Sequence, residues 1–503
     1  MPARRLLVAL FALLSAMIQA PAFAEVGTFQ TIVLEGDLTR ANHETYLELP
    51  FDVPAGVERL SVTFAYDRED RTVVDLGLFD PNGLRGWSGG AKASFTLASS
   101  DATPSFVAGP ILPGRWRLLL GIPNIRDGSR AHYRAEIRLE RIDAPGPTSA
   151  FFDGALRPEP GWRRGDFHTH TAHSDGSCAS LAGRRVPCPA FRTLEAARRA
   201  GLDFIAVTDH NTAAQNASLR ELQAYYDTML IIPGREITTF FGHMNVLGLT
   251  GPLEFQLGGP RLPRIDALLD DVAKQGGIAS VNHPGMPSGE ACMGCGWIVK
   301  DMDRAKLSAV EIANGGTMRF TGSAEGQLNH IPFWESLLDK GYRVTGIGGS
   351  DNHDPDAAAN AQFPVGRPAT VVYAENLSQR AILDGVRAGR VFIDLDGVKG
   401  RFLDLTLNTR QGRVLMGSTA GVGRSERTRL AIEVRGAAGG RIELIAGAGA
   451  PKLGPPLPIA GDSETLSATL PAAGPKRWWV RANVRDSSGR LILLSNPIYF
   501  SPQ

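Results

Sequence analysis

With 503 residues, 43% hydrophobic and 21% charged, the chain has material for two to four domains of roughly 150 residues, and its composition excludes intrinsic disorder. Lys and Arg number 53 against 52 Asp and Glu, so the basic excess of a nucleic-acid polymer binder is missing. A small anionic substrate, which needs only local positive charge, stays open.

Residues 1–24 read as a secretory signal peptide. Arg4 and Arg5 supply the positive start, Leu6 to Ile18 the apolar stretch, and Ala22-Phe23-Ala24 an A-x-A cleavage site. The apolar stretch falls short of the ~20 residues a membrane span needs, and no later stretch could span a bilayer. The mature chain is therefore expected to be periplasmic or secreted, with no transmembrane segment. Cleavage would remove two Arg and no acid, leaving 51 basic against 52 acidic residues.

Residues 25–145 carry short β-type runs such as Glu58 to Tyr66 and Trp116 to Gly121, punctuated by turns such as Asp80-Pro81-Asn82-Gly83. They predict a β-sandwich or jelly roll with no catalytic set; His43 and His132 stand alone. Residues 146–164 are Pro/Gly-rich and read as a linker. From 165 to 398 strand-like runs alternate with helical patterns, which predicts a parallel α/β domain of about seven units, closed as an irregular barrel. Residues 399–503 return to β, in the pattern of a small Ig-like sandwich. The sequence sets no oligomeric state.

Four cysteines in an exported chain favour disulfides, Cys178 with Cys188 and Cys292 with Cys295, over a thiolate metal or redox role.

The chemistry gathers in the α/β region. Eight of the ten His lie between 168 and 353. In Asp166-Phe167-His168-Thr169-His170 the two His are two apart, so on a strand both imidazoles point to one side. Further donors fall where strands end: Asp175, His210, Glu236, His243, His283, Asp351 and His353. C-terminal strand ends of a parallel barrel converge on one face, so these nine are expected in one mouth. Imidazole mixed with carboxylate suits two or three divalent ions of the Zn, Mn or Fe type. Arg235, beside Glu236, and His330, at a helix start, are candidate substrate contacts; Lys300 and Arg367 are weaker ones. His173 has no assigned role.

The motifs HTHTAHSDG, VTDHN, GREI…GHMN, VNHPG and GGSDNHD resemble those of the PHP (polymerase and histidinol phosphatase) metallohydrolases. The flanking β-regions and the ending Ser495 to Phe500 are similar to the exported, carbaryl-hydrolase-like branch. The resemblance implies a distorted (β/α)7 barrel. It also implies one metal held by His168, His170, Glu236 and Asp351, with Glu236 bridging to a second completed by His243 and His283. A third ion would fall to Asp175, His210 and His353. The implied reaction is hydrolysis of a small-molecule ester by a metal-bridging hydroxide, with Asp351 as the candidate proton acceptor. A phosphoesterase is the leading reading. A carboxylic ester or carbamate hydrolase at the same site is the alternative, and a non-catalytic surface-binding protein the second.

Overall fold

The computed structural model describes residues 29–502 except 142–149, 153, 291, 293, 357–362 and 473–475. The expected signal peptide and part of the linker lie outside the described residues.

Two four-stranded antiparallel sheets form the N-terminal region. One has the order Phe29–Thr39, Arg130–Arg141, Val57–Tyr66, Ser94–Ala98, and the other Thr45–Val53, Gly114–Asn124, Val73–Asp80, Gly83–Gly89. Alternation makes each sheet two-faced. In Arg130–Arg141, Ala131, Tyr133, Ala135, Ile137 and Leu139 are buried while the intervening Arg, His and Glu mostly face out. The inward faces of both sheets share one core, with Leu60, Leu76, Leu118 and Ile137 within it.

The central region supplies β1 (Gly161–Asp166), β2 (Phe204–Val207), β3 (Leu230–Thr239), β4 (Gly242–Leu247), β5 (Ile278–Val281), β6 (Ala309–Asn314), β7 (Thr345–Gly349), β8 (Ala369–Ala374) and β9 (Val391–Asp394). Its helices are α1 (Ala190–Arg199), α2 (Gln215–Gln223), α3 (Ile265–Lys274), α4 (Gly315–Thr321), α5 (Ile331–Asp339) and α6 (Gln379–Arg387). Strands such as β2 and β5 are buried throughout and, but for Ser280, apolar, as expected of strands covered on both faces. Helix α3 buries Ile265, Leu268, Leu269 and Val272, the i, i+3, i+4, i+7 stripe that seats a helix on a sheet.

The sheet is mixed, not all-parallel as expected. β1, β2 and β3 are parallel, as are β5, β6 and β7, but β4 lies antiparallel between β3 and β5, and β8 pairs antiparallel with β1 and β9. The reason at β3–β4 is chain length. Only Phe240 and Phe241 separate the two strands, enough for a hairpin and too few for a parallel crossover. The run nevertheless returns on itself beyond β7: Asp351 N–H donates to His168 O at 2.8 Å and His170 N–H to Asn352 O at 3.0 Å.

Residues after 399 are not a detached sandwich. One sheet (Gly412–Leu415, Phe402–Thr409, Thr428–Arg435, Ser463–Leu470) stands by itself. The other strands continue the central sheet, because Leu491–Ser495 pairs antiparallel with β9 and then with Trp478–Arg485. Asn496 is buried at this junction. Its side chain accepts from Gly346 N–H at 2.8 Å and donates to Gly346 O at 2.8 Å and Val391 O at 2.9 Å, tying β7 to β9.

Candidate metal centre

The centre is assembled from residues on strands, just beyond them, and on the loop that follows His170. Past β1 the chain stays extended. Phe167 and Thr169 turn into the fold, with Thr169 Oγ1 donating to Ala206 O at 2.8 Å, and His168 and His170 turn the other way. Glu236 stands on β3, His243 on β4, and His283 and Asp351 just beyond β5 and β7. His283 (φ 27°) and Asp351 (φ 51°) both occupy left-handed backbone that non-glycine residues rarely adopt, as does Asn211 beside His210. Such conformations persist where the surroundings over-determine them, commonly at functional sites. Gly349 is needed for close approach, since a Cβ there would come within 2.5 Å of His168 Cβ and 2.7 Å of Glu311 Oε1.

All nine expected donors meet. His168 Nε2 lies 3.3 Å from Glu236 Oε2 and 3.2 Å from Asp351 Oδ1; His170 Nε2 lies 3.5 Å and 3.1 Å from the same two atoms. His243 Nδ1 and His283 Nε2 approach Glu236 Oε1 at 3.2 and 3.3 Å, and His210 Nδ1 approaches Oε2 at 3.1 Å. Glu236 is thus shared by five imidazoles. Asp175 forms an outer group, 3.3 Å from His353 Nε2 and 3.7 Å from His210 Nε2. His170 reaches this group too, with its Nδ1 3.8 Å from Asp175 Oδ1. His173 N–H donates to Thr171 Oγ1 at 3.3 Å, and its ring stands apart from the cluster.

The donor set fits divalent cations. His168 Nε2 and His243 Nε2 are buried without a hydrogen-bond partner, although His168 Nε2 faces two carboxylate oxygens. Buried polar atoms are rarely left so unless an ion or water serves them. The same crowding governs ionisation. Burial alone would lower His168, but Asp351, Glu311 and Glu236 outweigh it and hold the imidazole well above its usual value. His170 goes the other way, to about 4, because burial and the neighbouring His353 and His210 all disfavour its charge. Burial would raise Asp351 and Glu236, yet the surrounding imidazoles, His168 foremost, hold both carboxyls well below their ordinary values.

Glu311 on β6, a further carboxylate that strand-end placement does not single out, stands behind the cluster. It is buried, its Oε1 lies 2.9 Å from His168 Nδ1, and its Oε2 accepts from His283 N–H at 3.0 Å and Asn314 Nδ2 at 2.9 Å. Engaging Nδ1 leaves His168 Nε2 free to face the centre. The backbone carbonyl of Cys295 does the same for His283, 3.1 Å from its Nδ1. Asn282 Nδ2 donates to Glu236 Oε1 at 2.9 Å.

The two expected substrate contacts lie elsewhere. Arg235 alternates with Glu236 on β3, so its guanidinium points away from the centre and donates to Thr250 O at 3.1 Å and Leu249 O at 3.4 Å. There it joins the seam with the N-terminal sheets, where Asp101 pairs with Arg220 and Ser100 Oγ donates to Thr250 O at 2.6 Å. His330 is buried; its Nδ1 accepts from Gly285 N–H at 3.0 Å and its Nε2 lies 3.0 Å from Thr317 Oγ1. Burial and the nearby His283 lower its pKa to about 3, so this imidazole is neutral. It fastens the loop after His283 to α4. Arg367 lies 3.7 Å from Asp396, and Lys300 is exposed.

Cys178–Cys188 and Cys292–Cys295 are both disulfides. The first closes the loop after Asp175, where Ser177 N–H donates to His353 O at 2.7 Å; the second lines the cavity over the centre. Among the described residues no helix is long and apolar enough to cross a membrane.

No family model matches the sequence. An uncharacterized protein of Methanocaldococcus jannaschii is 27% identical over 152 residues, 30% of this chain and 81% of that protein. A two-domain protein of Bacteroides vulgatus containing a predicted PHP-like metal-dependent phosphoesterase is similar at 19% identity and TM-score 0.38, covering 69% of this chain and 98% of that one. A candidate metal-dependent phosphoesterase of Bifidobacterium adolescentis is similar at 17% identity and TM-score 0.27, covering 44% of this chain and 95% of that one. At these identities and TM-scores the likeness assigns no function to this chain.

Proposed function

We propose that the chain is an exported PHP-type metal-dependent hydrolase, a phosphoesterase on small phosphate esters, whose chemistry lies in residues 165–398 on a distorted barrel. The observation that carries this reading is the donor set, six imidazoles and three carboxylates gathered in one cluster, with two buried imidazole nitrogens that make no hydrogen bond. His168, His170, Glu236 and Asp351 would hold one ion, Glu236 with His243 and His283 a second, and Asp175, His210 and His353 a third. Zn, Mn or Fe suits these donors. Paired divalent ions supply Lewis acidity and lower the pKa of bound water.

The chain's own residues do the positioning. Glu311 and the Cys295 carbonyl fix which nitrogen His168 and His283 present. Asn314 Nδ2, 3.3 Å from Asp351 Oδ2, orients that carboxylate and leaves Oδ1 turned to the centre, where it can accept a proton from the attacking water. Export is supported by the two disulfides and by the signal-like first 24 residues.

Elemental analysis of the purified protein, with assays on 4-nitrophenyl phosphate and 1-naphthyl acetate, tests the proposal. At least two ions per chain and preferential turnover of the phosphate ester are expected. Turnover of the acetate alone would move the reaction to carboxylic esters, and fewer than one ion per chain would overturn the metalloenzyme reading.

A further inference from the structure

The cavity over the centre is about 330 Å³; seven of the nine donors, all but His168 and His170, line its floor, and its wall is built by Arg319 and Phe320 on α4 together with Met286. Arg319 is the one Lys or Arg among these lining residues. Its guanidinium lies 4.8 Å from the centroid of the Phe320 ring and makes no ion pair among the described residues. The two polar candidates read from the sequence, Arg235 and His330, are engaged elsewhere by backbone groups and Thr317.

Position, too, is specified. Asn314 caps α4 by accepting from Thr317 N–H at 2.8 Å and also donates to Asp351 Oδ2, so the helix that carries Arg319 is tied to a metal donor. Thr317 is held in turn by His330. A planar guanidinium resting on an aromatic face loses little freedom when its donors engage two oxygens of one anion. Beside this cation the surface is apolar. Phe320 is 69% exposed, and Met286 follows His283 on the adjoining loop; Phe240, on the β3–β4 turn and not in the cavity lining, is 83% exposed. Gly294 packs against Phe240 and joins that turn to the Cys292–Cys295 loop.

We infer that Arg319 is the specificity residue that holds the phosphoryl oxygens, and that Phe320 and Met286 receive the leaving group, so that the substrates are phosphate esters of apolar alcohols or phenols. This rests on the phosphoesterase reading above. Arg319 supplies donors on the side of the phosphoryl group facing away from the donor-lined floor. Phe320 gives the leaving group a flat apolar contact that a polyol phosphate cannot use.

The test uses the metal-loaded full chain and its R319A, R319K and F320S variants, with metal content matched. For 1-naphthyl phosphate, R319A is expected to raise KM by roughly 10- to 100-fold, the loss of one charge-assisted hydrogen-bonding partner, with partial recovery in R319K. Calorimetric binding of inorganic phosphate should weaken by a similar factor. F320S should lower the preference for 1-naphthyl phosphate over glycerol phosphate. Wild-type phosphate binding and KM in R319A would overturn the assignment of Arg319, and an unchanged preference in F320S would overturn that of the leaving-group face. Failure of the wild-type protein both to turn over and to bind phosphate would overturn the phosphoesterase reading itself.

Discussion

The centre has a closed half and an open half, and they are built differently. In the closed half Glu236 is 1% exposed and is reached by imidazoles from four other segments. Every donor there sits on or just beyond a strand, and His168 and His283 are backed by the Glu311 carboxylate and the Cys295 carbonyl. In the open half Asp175 is 56% exposed, carried on a loop pinned by Asp209, which accepts from Thr171 N–H at 2.7 Å and Ser174 Oγ at 2.6 Å, and stapled by Cys178–Cys188. Strand ends fix atoms through the sheet's own hydrogen bonds, whereas a loop needs dedicated clamps. The closed half should therefore bind its ions more tightly and tolerate change less.

Glu236→Gln should be the most damaging substitution, because it withdraws charge from the ions on both sides at once. Loss of more than about 100-fold in activity is expected, beyond the range for outer partners, with at least one ion missing by elemental analysis. Glu311→Ala comes next. It frees His168 Nδ1, leaves His283 N–H without its acceptor and Asn314 Nδ2 with Asp351 alone, so metal affinity should fall roughly 10- to 100-fold. Thermal unfolding of the metal-free form should show a loss of about 1–3 kcal/mol. Asp175→Asn should cost one ion and spare the others, which metal counting resolves; equal losses from Asp175→Asn and Glu236→Gln would erase the distinction between the halves. Cys178→Ser with Cys188→Ser, which opens a loop of sequence separation 10, should cost about 3 kcal/mol or less and weaken the outer ion first.

Raised imidazoles occur in both halves. His168 and His283 are raised, burial opposing and the carboxylates prevailing, and His353 is raised to about 9 against burial, chiefly by its hydrogen bond to Asp175. His168, held well above its ordinary value, and His353, at about 9, are protonated in the metal-free form at neutral pH, so loading must expel protons. Affinity for Zn should then rise with pH between about 6.5 and 9, and proton release should be measurable by titration in two buffers of different ionisation enthalpy. A pH-independent affinity would contradict this.

The nine donors were legible because the strand period and strand-end placement act over short stretches of chain. His168 and His170 share a side by alternation alone. The same alternation, applied to Arg235 beside Glu236, sends the arginine away from the centre, so that placement was readable too. Glu311 left a fainter signal, a carboxylate inside the apolar run Ala309-Val310-Glu311-Ile312-Ala313, whose burial demands a partner. The antiparallel β4 was hidden because periodicity does not say which neighbour a strand pairs with. The continuation of the central sheet into the last hundred residues was hidden for the same reason, as it depends on pairing across a separation of about a hundred positions.

That continuation has a consequence for the chain as an object. A chain ending near residue 398 would bare β9 as a raw strand edge and lose Asn496 from between β7 and β9. Unprotected edges recruit other strands, so such a shortened form should self-associate rather than behave as a free-standing catalyst. The carboxy-terminal segment is thus the hem of the central sheet, not an appendage to it.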